Sequence, residues 1–128
     1  MIYSQKQIEL LSDALRGSAE ARQRLIEEAP ELVMLEAALM TEKIALEWLM
    51  KNNKLLALFT DAVFGNKSAV KMLMAKKEYG LAAAANLTNG DDAAGIWLKN
   101  NNLIHYLKLA EGILYAHKNR GKPNQSPF

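Results

Sequence analysis

The chain has no cysteine, which excludes disulfides, thiolate nucleophiles and cysteine-ligated zinc together. It has two histidines, His105 and His117, and neither stands in a His-Glu-x-x-His pattern, so that metal-hydrolase signature is missing too. No apolar run reaches the ~20 residues that a membrane-spanning helix requires. The opening Met-Ile-Tyr-Ser-Gln-Lys-Gln lacks a basic segment followed by an apolar core, so a cytoplasmic protein without a secretory signal or a membrane partner is expected. Ser4, Ser12, Ser18, Ser68 and Ser126 have no nucleophile-elbow context. Gly65-Asn66-Lys67-Ser68 lacks the Gly-Lys-Ser/Thr core and the preceding strand of a phosphate loop. The acidic pairs Glu27-Glu28 and Asp91-Asp92 are adjacent, so their side chains diverge on a helix. No residue is singled out as catalytic, cofactor-binding or metal-ligating, no cofactor is expected, and the sequence reads as non-enzymatic.

What is present is an ordinary globular composition. The 128 residues are 50% apolar and 23% charged, enough for one domain with a real core. The net charge of +2 hides an asymmetry: residues 1–50 carry five Lys/Arg against nine Asp/Glu, and residues 51–128 carry eleven against five. Two solvated faces would account for this, and so would a basic half that meets an acidic partner.

A repeat organises the chain. Ala21…Leu25, Ala45…Leu49, Ala69…Leu73 and Ala94…Leu98 share one pattern, their leucines spaced by 24, 24 and 25 residues. Four residues before each alanine stands Gly17, Thr41, Gly65 or Gly90, and three before it Ser18, Glu42, Asn66 or Asp91. Immediately before each leucine stands Arg24, Trp48, Met72 or Trp97. A second half-unit follows the same register through Ile8, Leu32, Leu56 and Leu81, and Leu11, Leu35 and Phe59. His105 falls near the column of Leu56 and Leu81.

The chemistry of one unit is that of a helical hairpin. Glycine accepts the left-handed conformation that ends a helix, and Ser18, Asn66 or Asp91 can cap the next one. Alanine and leucine four apart share a face. Pro30, Asn52-Asn53 and Asn100-Asn101-Asn102 separate the two helices of a unit. Helices of about ten residues are marginal alone and need their neighbours' apolar faces, which is the logic of stacked repeats. The pattern predicts helices over 4–15, 18–28, 30–39, 42–51, 54–63, 67–77, 79–87, 91–100 and 102–117. The fold class is thus all-α: stacked short hairpins in an α-solenoid-like repeat, about four units plus an N-terminal capping helix. Residues 1–117 form one domain and 118–128 a loose tail.

The segments Phe64-Gly65-Asn66-Lys67-Ser68-Ala69-Val70-Lys71-Met72-Leu73 and Ala94-Gly95-Ile96-Trp97-Leu98-Lys99-Asn100 resemble the short helical-hairpin repeats of uncharacterised bacterial proteins. They are more distantly similar to α-solenoid families. The resemblance spans roughly residues 8–114 and implies a fold, not an activity. The units are shorter than tetratricopeptide, ankyrin or HEAT repeats, so the ligand-binding residues of those families do not carry over.

The remaining candidates concern binding. Trp48 and Trp97 occupy equivalent positions, where they either fill the stack or stand out as anchors for a partner. Met34, Met40, Met50, Met72 and Met74 are expected mostly to fill the core, although methionine-rich surfaces can adapt to partners. Lys67, Lys71, Lys76 and Lys77 lead the basic half. His117, near a helix end, is expected to meet free carbonyls. The leading expectation is an interaction or scaffold module for a protein or peptide partner. The alternative is weak association with nucleic acid through the lysines, against which stand the small net charge and the lack of a nucleic-acid-binding motif.

Overall fold

The structure is a computed structural model that describes residues 3–120. These residues form nine helices and no strand: α1 (Gln5–Leu15), α2 (Ala19–Glu28), α3 (Pro30–Leu39), α4 (Lys43–Asn52), α5 (Lys54–Val63), α6 (Lys67–Ala75), α7 (Tyr79–Thr88), α8 (Asp92–Asn100) and α9 (Ile104–Asn119). Every helix expected from the repeat is present, with ends displaced by at most two residues. None of them is long and apolar enough to cross a membrane.

The caps are those the repeat provides. Ser18, Asn66 and Asp91 accept from the backbone N–H groups of Ala21, Ala69 and Ala93, and Ser4 and Gln7 complete a capping box on α1. Six helices end in one hydrogen-bond pattern, illustrated by Gly17 N–H to Ala14 C=O and Ser18 N–H to Asp13 C=O. It places residues 17, 41, 65, 77, 90 and 102 at positive φ, the signature of a Schellman motif. Three of these are glycine and one is asparagine. Thr41 (φ 68°) and Lys77 (φ 62°) hold the same conformation with a Cβ.

The hairpins stack in two layers. The odd-numbered helices form the inner layer, each packed on the next, and α2, α4, α6 and α8 lie outside, each bridging two inner neighbours. As the repeat predicts, α1 packs on the first unit. It also packs on α9, and this is the most extensive helix contact in the molecule, so the inner layer closes on itself. Gly112 permits the closure: a Cβ there would stand 2.8 Å from Ser12 Oγ and 3.0 Å from the Ser12 carbonyl oxygen. Ser12 Oγ donates to the Lys108 carbonyl at 2.7 Å.

Leu25, Leu49, Leu73 and Leu98 are all fully buried, and their partner alanines nearly so. Burying each leucine contributes about 1.5–3 kcal/mol. Ile8, Leu11, Leu15, Leu35, Phe59 and Ile113 share one core with Leu25, Leu49 and Leu73, while Leu98 packs with Ala83 and Ala94 in a smaller second cluster. The buried polar side chains Ser12, Glu36 and Thr60 share a single column of the repeat, 24 residues apart. Glu36 is held by two guanidiniums: Arg22 donates to both its oxygens at 2.9 and 2.6 Å, and Arg120 donates at 2.8 Å. A carboxylate this deeply buried requires such pairing, and its charge in turn favours the protonated Arg22.

Residues 118–120, expected to belong to a loose tail, are held by the fold. Helix α9 continues through Asn119, and Arg120 also donates to the Ala14 and Leu15 carbonyls at 3.1 Å, tying the last turn to the end of α1. Residues 121–128, the rest of that tail, lie outside the described residues.

Candidate interaction surface

Each outer helix buries little more than its alanine and leucine. No two outer helices make a substantial contact with each other. Open grooves therefore run between them, floored by the inner helices, and the repeat generates the same groove more than once. Over α7 it measures about 490 Å³, with Ala82 and Ala83 as floor and Met74, Tyr79 and Trp97 as walls. Over α5 it measures about 370 Å³, with Ala57 and Leu58 as floor and Met50 and Met72 as walls. Beside α1, where α2 is the single outer wall, a groove of about 340 Å³ is polar, lined by Lys6, Glu9, Asp13, Glu20 and Arg24.

Trp48 and Trp97 are 38% and 40% exposed. They line the outer surface at equivalent positions rather than filling the stack. Met50, Met72 and Met74 are exposed as well, which corrects the expectation that they fill the core. Only Met34 and Met40 are partly buried against it. Two outward columns of the repeat thus carry large apolar side chains: Trp48, Met72 and Trp97 in one, Ile26, Met50 and Met74 in the other. In a solvated helix these positions would be polar, and contiguous exposed apolar surface marks an interaction site.

The four lysines singled out by sequence do not gather on one groove. Lys67 opens α6, Lys71 follows one turn later, Lys76 caps its C-terminus and Lys77 lies in the following turn. Of the four, only Lys76 lines the groove over α5, where it is joined by Lys54, with Asp61 at the groove's other end.

The strongly shifted titratable groups serve the fold. Burial first, and the Glu78 charge second, push the Tyr106 phenol up to about 12. Burial and Glu31 do the same for Tyr3, again to about 12, beside the Asn53 amide that donates to Tyr3 Oη at 3.2 Å. Tyr106, not His105, continues the column of Leu56 and Leu81, because the α6–α7 and α8–α9 turns are longer than those of the first two units. Its ring packs on Gly80, where a Cβ would come within 2.5 Å. His105 tilts against that ring at 4.5 Å, and desolvation lowers its pKa against the raising effect of Glu9. His117 Nε2 lies 2.7 Å from the Leu39 carbonyl oxygen and its ring stacks on Phe64 at 5.5 Å. The expected carbonyl contact is therefore real, but the carbonyl belongs to another helix. Among the described residues no three metal-ligating side chains converge.

Sequence reasoning missed the Arg22–Glu36–Arg120 cluster, although its signal was available as a charge in a column whose other members, Ser12 and Thr60 among them, are small and uncharged. No protein-family model, curated protein or solved structure matches the chain.

Proposed function

We propose that the protein is a non-enzymatic interaction module that binds a protein or peptide partner through the apolar grooves of its outer wall, across α4 to α8. One observation carries this reading. The outward columns that hold Trp48, Met72 and Trp97, and Ile26, Met50 and Met74, also hold Arg24 and Lys99, yet the grooves over α5 and α7 are lined with methionine, leucine, tyrosine and tryptophan. The fold therefore does not require apolar side chains at these positions, and their retention in the later units supports a binding role. Tryptophan and tyrosine are the side chains that most often anchor interfaces, and methionine adapts to different partners.

The test is selection from a random peptide display library on the purified protein, followed by measured affinities on variants. Peptides with apolar anchors should be enriched, and their binding should be lost in Trp97→Ala or Met72→Ser while circular dichroism shows the fold intact. No enrichment, or enriched peptides indifferent to both substitutions, would refute the reading.

A further inference from the structure

Resting on that reading, we infer that the groove over α5 takes an amphipathic helix with an acidic first turn, an apolar face and a basic residue about two turns later, because Lys54 and Lys76 charge one end of this groove and Asp61 the other. Lys54 is the first residue of α5 and Asp61 stands in its last turn. Both are exposed, and among the described residues neither has an ion-pair partner. Each sits at the end of α5 where its charge opposes the helix's own dipole. Lys76, at the C-cap of α6, is favourably placed for its own helix and adds to the positive end of the groove. Between the charged ends the lining is Met50, Ala57, Leu58 and Met72.

An occupant complementary to this arrangement presents carboxylates to Lys54 and Lys76, large aliphatic side chains to the methionines, and a cation to Asp61. The small floor residue Ala57 lets a helix backbone come close. Lys54 and Asp61 are seven residues apart on a helix, a rise of about 10 Å, so the occupant's acidic and basic positions should be about seven residues apart too. Acidic residues in its first turn and basic ones later also agree with the occupant's own dipole. With its first turn at the Lys54 end it runs antiparallel to α4 and α6, the two walls.

The test uses the full chain and three fluorescent, side-chain-stapled peptides of about 14 residues, four helical turns. One carries the acidic first turn, the leucine face and the basic later turn. The second exchanges the charges, and the third replaces leucine by serine. Stapling equalises helicity, which circular dichroism verifies. By fluorescence anisotropy at low salt, the first should bind about tenfold more tightly than the second, since charge complementarity sets orientation and register, and the third should not bind. A protein carrying Lys54→Asp, Asp61→Lys and Lys76→Asp should invert the preference between the first two. Equal binding of both, or a preference unchanged in that variant, overturns the inference. A dimer that forms with rising concentration and is lost in Met72→Ser would assign the groove to a second copy and overturn it as well. If library selection yields anchored peptides while neither charged design binds, this inference fails and the peptide-binding reading stands. If neither experiment yields binding, both fall.

Discussion

Thr41 is the position at which the chain departs furthest from its own repeat, and its replacement by glycine should stabilise the protein. Gly17, Gly65 and Gly90 hold the equivalent positions at φ 103°, 99° and 97°, and Thr41 adopts φ 68°. Its N–H bonds the Ala38 carbonyl at 3.0 Å, and the Glu42 N–H bonds that of Ala37 at 3.0 Å, so the motif is complete and the departure lies in the side chain and the smaller φ that goes with it. A left-handed conformation costs a residue with a Cβ about 1–2 kcal/mol. Glycine escapes that cost but loses about 0.5–1 kcal/mol more backbone freedom on folding, leaving a net gain of about 0.5–1 kcal/mol. The Thr41 hydroxyl bonds only the carbonyl of its neighbour Met40 and is exposed, so little else is lost. Unfolding entropy of about 2 cal/mol/K per residue converts the gain to a rise in Tm of about 2–4 °C. Thermal melts followed by circular dichroism, with Thr41→Ala as control, read it directly. Alanine keeps the positive φ and should leave Tm nearly unchanged. A Tm for Thr41→Gly at or below that of Thr41→Ala would refute the assignment of strain to this turn.

Gly112→Ala places a methyl against the Ser12 backbone and should cost about 1–3 kcal/mol, with amide exchange accelerating in α1 and α9 before the other helices. Tyr106 should give an alkaline limb to stability: its phenol is raised from 10.0 to about 12 in the fold, so the neutral form is favoured when folded, and this contribution, complete below the unfolded value, is lost as pH rises through that window. Denaturant melts between pH 9 and 12 should show a shallower decline in Tyr106→Phe. Binding to single- or double-stranded nucleic acid should be weak and should vanish between ~50 and 200 mM salt, because too few lysines meet one backbone together; affinity that survives the upper salt and is lost in Lys76→Ala with Lys77→Ala would contradict this.

The elements of the fold were legible because the repeat writes them locally. Leu25, Leu49, Leu73 and Leu98 occur at a fixed distance from a helix-ending residue, and hydrophobic period, cap and turn all agree within about 24 residues. The closure was not legible in the same way. It joins Ser12 to Lys108 and Gly112, and Arg120 to Glu36, across separations that no periodicity reports. The sequence reading could see that α1 continued the apolar columns, but a cap and a closing helix need the same columns. The register of His105 and Tyr106 was lost for a smaller reason: α6 with its following turn, and again α8 with its own, is one residue longer than α2 or α4 with theirs, which shifts the inner column. The exposure of Trp48 was left open, and that of Met50 and Met72 was not foreseen, because an outer helix that buries little more than an alanine and a leucine gives an apolar stripe too narrow to say which large side chain lies beside it and which beyond it.

Closure also decides where a partner can bind. An open stack of hairpins offers its concave side, formed by the inner helices, as the natural groove. Here those helices meet one another around a filled core, with Leu11, Leu35 and Phe59 at most 1% exposed, so that side no longer exists as a surface. The outer helices lie farther from the centre than the inner ones, and a closed inner layer forces them apart. The grooves between them are the geometric consequence of closing the layer beneath. Their lining is independent of that geometry, as Arg24 and Lys99 show by standing in the same outward columns as the tryptophans and methionines. Thus Gly112 and Ser12, which let α9 reach α1, act on the outer wall without touching it: a substitution that pries this seam apart should alter the spacing of α4, α6 and α8 and weaken peptide binding in the grooves, even though every lining residue is unchanged.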